Sequence, residues 1–232
     1  DGGGRFNFAD AYSREAERSV GSGAMRRRRS CAVLSKCSGR IDVQAMMALL
    51  SDHSDGSAPD EPFQTGISKG TSICVHHNDE GTGGNTAASL VAHLCADGSR
   101  LPVYWCSLYS PCLGVFLPMY IEGELPSVLA VGGEHLSNHS PWWLFRQLSL
   151  TVRSHSTDLL PTVQAQWKAF QERLFVSAYE MAKEGKVLIA QGREAAAHQL
   201  LTRYMAENVT TMLKMVRRML SLTAESTEMA AD

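Results

Sequence analysis

Long apolar runs are missing from this chain. Its apolar stretches are a few residues each, far short of the roughly 20 that span a bilayer, so no membrane span is expected. A dominant charge is missing too. The chain has 22 basic and 24 acidic residues and a net charge of −2 over 232 residues, which argues against nucleic acid or an anionic membrane surface as a partner. No charged n-region followed by an apolar stretch opens the chain. It starts DGGGRFNFAD without a Met, and the expectation is a processed chain or a fragment. Apolar residues make up 44%, enough for one domain with a sizeable core.

Several chemistries lack their motifs. The six cysteines include no Cys-x-x-Cys pair and no dense spacing, so reduced thiols in a cytoplasmic protein are expected. The Gly-rich GTGGNT is not a Walker loop, no dinucleotide fingerprint precedes a helix, and no Gly-x-Ser-x-Gly elbow occurs. A metal needs three or four converging ligands. His76 and His77 are adjacent, so on a strand they point to opposite faces, and the glycines and proline around His135 and His139 argue for a loop. The expectation is no cofactor and no metal.

What is there reads as an α+β chain. Residues 1–25 are rich in Gly and Ser and are expected to be partly flexible. In AMRRRRSCAVLSKC, Ala, Met and Arg favour helix, with Arg26 to Arg29 on a solvated face. IDVQAMMALLSDH is a clearer helix, 42–52, with Asp42 as N-cap and Val43, Met46, Met47 and Leu50 at helical spacing. The middle third reads as β: Ser72–His76, Thr86–Leu94, Pro102–Leu108, Gly114–Tyr120 and Ser127–Val131, separated by turn residues. Turns this short imply antiparallel pairing. Helices are expected at 141–154, opened by Pro141, and at 162–184 and 193–221, where apolar residues recur at helical spacing and form an antiparallel pair. Residues 1–222 make one domain, with 223–232 a polar tail.

One polar group stands out. His76, Asn85, Thr86 and Ser89 surround Gly81, Gly83 and Gly84, which permit a tight turn. An Asn side chain is a good oxyanion donor, and small residues leave room for a substrate. A plain hairpin with a polar edge is the competing reading.

The order RFNFADAYS, RRRRSCAVL, MALLSDH, TSICVH, NTAASLVAHL, GVFLPMYI, HSPWWLFRQL, from about Arg5 to about Lys186, resembles the secernin family. Secernins are grouped with N-terminal-nucleophile cysteine dipeptidases and, more distantly, with penicillin acylases and bile-salt hydrolases. The resemblance implies an αββα sandwich, of which this chain is the C-terminal portion, and hydrolysis of dipeptides or small amides. It also implies a cysteine nucleophile opening the mature chain, with its own α-amino group as general base. Residue 1 is Asp, so the nucleophile is expected upstream, and Cys74 is read as core. Asn85 is then expected as oxyanion or substrate-amide donor, with His76, Thr86 and Ser89 beside the substrate. The alternative the same resemblance carries is a non-enzymatic interaction scaffold in regulated exocytosis.

Overall fold

A computed structural model describes residues 22–53, 72–76, 84–154 and 156–229. Its helices are α1 (Ser22–Lys36), α2 (Val43–Leu50), α3 (Pro141–Ser154), α4 (Ser156–Ala190) and α5 (Glu194–Met229), and its strands are β1 (Ala88–His93), β2 (Val103–Leu108) and β3 (Leu117–Met119). The strands form an antiparallel sheet in the order β1-β2-β3. Ala88 pairs with Leu108 and His93 with Val103, and Tyr104 and Cys106 face Met119 and Leu117.

The turn joining β1 to β2 contains Gly98 at φ 64°, a conformation glycine adopts without a Cβ penalty. Asp97 Oδ1 accepts bonds from Ser99 N–H at 3.0 Å and from the Cys95 thiol at 2.7 Å. The Cys95 bond, followed by those from Ser99, holds the Asp97 carboxyl down at about 2. α2 begins as the sequence indicates, with Asp42 Oδ1 accepting from Ala45 N–H at 2.7 Å.

Alternation gives the sheet two unlike faces. On one, Val91, Val103, Trp105 and Ser107 are buried. Here α2 packs on β1, and the Trp105 ring meets Phe175 of α4 at 5.1 Å between centroids. On the other face, Ala88, Leu90 and Ala92 of β1 are exposed beside the partly buried Leu108, Cys106 and Tyr104 of β2.

α4 and α5 form an antiparallel hairpin. α4 ends in a Schellman motif: Gly192 sits at φ 70°, its N–H donates to Ile189 O at 2.9 Å, and Arg193 N–H donates to Leu188 O at 2.9 Å. Val163, Trp167, Phe170, Leu174, Ala178 and Ala182 line the seam from α4, and Leu201, Met205, Val209, Met212, Val216 and Met219 line it from α5. The hairpin is tied to the sheet region by polar bonds as well. Gln171 of α4 exchanges two bonds with the Phe116 backbone (2.8 and 3.1 Å), and the Tyr120 hydroxyl donates to Ala178 O at 2.6 Å. Burial raises the Tyr120 phenol well above its usual range. No helix among the described residues is long and apolar enough to cross a membrane.

Three expectations need correction. Ser72–His76 is an irregular stretch, not a strand, because its backbone bonds are split between Asp52, Thr86 and side chains instead of running along one neighbouring strand. Ser127–Ala130 forms a 3-10 turn after Pro126 rather than a strand. The arginine run is not uniformly solvated: Arg27 and Arg28 are exposed, whereas Arg29 is buried and Arg26 bonds inward. α5 runs on to Met229, and α1 begins at Ser22. The first 21 residues fall outside the described ones, as do His77 and Gly81 and Gly83 of the Gly-rich sequence.

Candidate functional site

The site is a corner where four pieces of chain meet: the end of α2, residues 72–76, the approach to β1 and the turn after β2. No sheet ladder holds residues 72–76, so other bonds do. Cys74 N–H donates to Asp52 O at 2.9 Å, Val75 N–H donates to Thr86 Oγ1 at 2.9 Å, and Thr86 N–H donates to Val75 O at 2.9 Å. Ser72 Oγ donates to Cys74 O at 2.8 Å, and Arg26 Nε donates to Ser72 O at 3.1 Å. Arg29 grips Asp52 through both carboxylate oxygens at 2.8 and 2.7 Å, with side chains only 8% and 18% exposed. This bidentate fork fixes α1 against the segment that carries His53.

The turn after β2 is shaped by Tyr109. Its φ is 57°, and it is the one non-glycine residue with positive φ among those described. A bulky residue there costs about 1–3 kcal/mol, and such strain clusters at functional sites. The ring is buried, edge-on to Trp142 at 5.1 Å, and Tyr109 N–H donates to Ala87 O. Trp142 Nε1 donates to the same carbonyl at 2.8 Å. The strained backbone is followed by Ser110 and by the 3-10 turn Pro111–Leu113, which carries Cys112.

At the centre lies the His76 imidazole. Its Nε2 is 2.9 Å from His53 Nε2, 3.2 Å from Cys112 Sγ and 3.5 Å from Cys74 Sγ, and its Nδ1 is 3.3 Å from Ser110 Oγ. Cys74 is fully buried and His76 nearly so, while His53 and Cys112 are partly buried. The two thiols are pushed in opposite directions. The hydrogen bond from Cys112, helped by His53 and His76 and opposed by burial, lowers Cys74 to about 3. Burial, and then the proximity of Cys74, raises Cys112 well above the usual thiol range.

The four residues expected at the site have different fates. His76 is inside the corner. Asn85 joins it through Ser110: Asn85 Nδ2 donates to Thr86 O at 2.7 Å and to Ser110 Oγ at 3.4 Å. Thr86 is partly exposed, but its hydroxyl and N–H serve Val75. Ser89 lies on β1 opposite Ser107, within the sheet. Sequence reasoning missed His53, Ser110 and Cys112. Cys74 and His76 did carry a signal, since residues two apart on extended chain share a side. Weighing the adjacent His76 and His77 instead hid it. Comparison with protein-family models, with curated proteins and with solved structures returned no match.

Proposed function

We propose that these residues belong to a secernin-like cysteine amidohydrolase that cleaves dipeptides or small amides in the cytoplasm. The observation that carries the reading is the two-faced sheet. α2 and α4 cover one face; on the other, Ala88, Leu90 and Ala92 of β1 are exposed, Tyr104, Cys106 and Leu108 of β2 are partly buried, and Leu117 and Met119 of β3 are buried. The exposed β1 edge would suit one half of an αββα sandwich, in which a second sheet packs about 10 Å away on the apolar row. Leu90 is 58% exposed, a large apolar side chain that such a layer would bury.

In this reading Asn85 supplies the oxyanion or substrate-amide donor. It is partly exposed at the end of the sheet where β1 begins. Its bond to Ser110 is the long one of its pair, so that N–H is the one more readily given up to a developing negative charge while the other keeps Thr86 O. The resemblance calls for a cysteine nucleophile opening a mature chain, a place that none of the six cysteines here holds. Cys74 does not replace it, because a thiol at 0% exposure has no path to a substrate carbonyl. The six free thiols suit a reducing compartment.

The same exposed Leu90, with Leu94 at 66%, favours a second reading, a scaffold whose apolar row docks another protein. Hydrolysis separates the two. The protein with its full N-terminal sequence is assayed against a dipeptide panel before and after iodoacetamide. The hydrolase reading expects turnover that alkylation abolishes, and none from the 232-residue chain alone. No turnover by the full protein, or turnover by the 232-residue chain alone, contradicts it.

A further inference from the structure

We propose that His53, Cys74, His76 and Cys112 form a structural Zn²⁺ site. The four donor atoms lie within 4.8 Å of one another, and they come from the end of α2, the irregular stretch 72–76 and the turn after β2. Zinc bound by two thiolates and two imidazoles takes bonds of about 2.3 Å to sulfur and 2.0–2.1 Å to nitrogen in a tetrahedron. Such a tetrahedron has edges of roughly 3.3 Å between nitrogens and 3.5 Å between nitrogen and sulfur. The edges from His76 Nε2 are 2.9 Å to His53, 3.2 Å to Cys112 and 3.5 Å to Cys74. These three edges match to within a few tenths of an ångström, and the other three are no longer than 4.8 Å.

Donor chemistry narrows the ion. Two sulfurs and two imidazoles with no carboxylate exclude the oxygen-seeking Mg²⁺ and Ca²⁺, a tetrahedral S₂N₂ set suits zinc or an iron–sulfur centre, and Cys₂His₂ around a single ion is a structural zinc set. Two thiolates balance the charge of the ion, and their protons pass to solvent on binding. Four protein donors complete the tetrahedron and leave no position for a reacting water, so the role is structural rather than catalytic. A supporting layer is in place. His76 Nδ1 meets Ser110 Oγ, which with Nε2 on the metal makes Nδ1–H the donor. Cys74 is held at both backbone groups, by Asp52 O and Ser72 Oγ.

Such an ion would join pieces of chain 23 and 36 residues apart at a corner with no sheet ladder of its own. It would also fix the imidazole that leads through Ser110 to Asn85. The site stands whether or not the hydrolase reading does.

The test uses protein purified without chelator. Plasma mass spectrometry is expected to find one zinc per chain, and Co²⁺ exchanged into the site is expected to give the visible bands of a tetrahedral, thiolate-bound ion. Cys112→Ser and His53→Gln should each weaken Co²⁺ binding by more than the 10–100-fold typical of losing a supporting group, with far-UV circular dichroism still reporting the α4–α5 hairpin. Cys31→Ser, at an exposed thiol, should bind as wild type does. Should a ligand variant fail to fold, the Co²⁺ spectrum of the wild type decides. Folded wild type without stoichiometric zinc, a Co²⁺ spectrum lacking thiolate bands, or undiminished binding in both ligand variants overturns the proposal.

Discussion

The α4–α5 hairpin and the corner around His76 are built on opposite plans. The hairpin repeats one device, an apolar side chain on the buried stripe about every fourth residue, so its stability is spread over many equivalent contacts. The corner repeats nothing. Of the five bonds that hold residues 72–76, four go to three outside residues, Asp52, Thr86 and Arg26, and one is internal, and the buried Arg29–Asp52 ion pair ties in α1. Distributed apolar packing tolerates local loss, whereas a corner of single polar bonds depends on each of them. That dependence also lets it hold groups in a fixed geometry.

Four substitutions probe this contrast, in falling order of expected effect. Trp167→Ala removes a ring that is 4% exposed and stacked on Phe145 at 5.6 Å. It should cost about 3–5 kcal/mol, lowering the urea midpoint for hairpin and corner probes together. Asp52→Ala leaves the buried Arg29 without its carboxylate, a loss of roughly 3 kcal/mol. Hydrogen exchange should show this loss concentrated in residues 72–76 while the α4–α5 seam keeps its protection. Uniform deprotection of both would erase the contrast. Thr86→Val keeps the shape but removes the acceptor for Val75 N–H. A buried donor left unpaired costs about 1–3 kcal/mol, so chemical denaturation should place this variant between the first two and wild type.

The smallest effect concerns pH. Burial first, and Arg100 second, lower the His93 pKa below its usual value near 6.5, with Asp42 acting the other way. Arg100 NH2 donates to His93 Nε2 at 2.6 Å, a bond only the neutral ring accepts. The unfolded chain therefore binds the proton more tightly, and the stabilisation present above pH 6.5 fades as pH falls through the folded value. His93→Gln should flatten the fall in melting temperature between pH 8 and pH 5. An unchanged slope would assign that fall to other groups.

Legibility in the sequence follows the same divide. The helices at 42–52, 141–154, 162–184 and 193–221 were readable because periodic burial writes itself into periodic sequence. The structure lengthens the last two, since a helix end has no period of its own and Pro161 is accommodated near the start of α4. β1, β2 and β3 were found but shorten, and antiparallel order followed from the turns. Ser127–Val131 misled because an apolar SVLAV has no period long enough to separate a strand from a 3-10 turn. At the site, His76 and Asn85 were legible as polar residues flanking glycines. His53 and Cys112 were not, since ligands brought together by tertiary folding leave no local spacing to read. Arg29 and Asp52 were hidden for the same reason: a run of four arginines looks alike whichever of them turns inward.

The central claim is that this corner positions reacting groups rather than only holding a turn. Asn85→Ala tests it most directly, in the protein with its full N-terminal sequence, with turnover and melting measured on the same samples. The account predicts a fall in turnover of roughly 100–1,000-fold, the usual cost of removing an oxyanion donor, with a stability loss of about 1 kcal/mol or less. Unchanged turnover with a lowered melting temperature would contradict it and make Asn85 a structural residue of the turn.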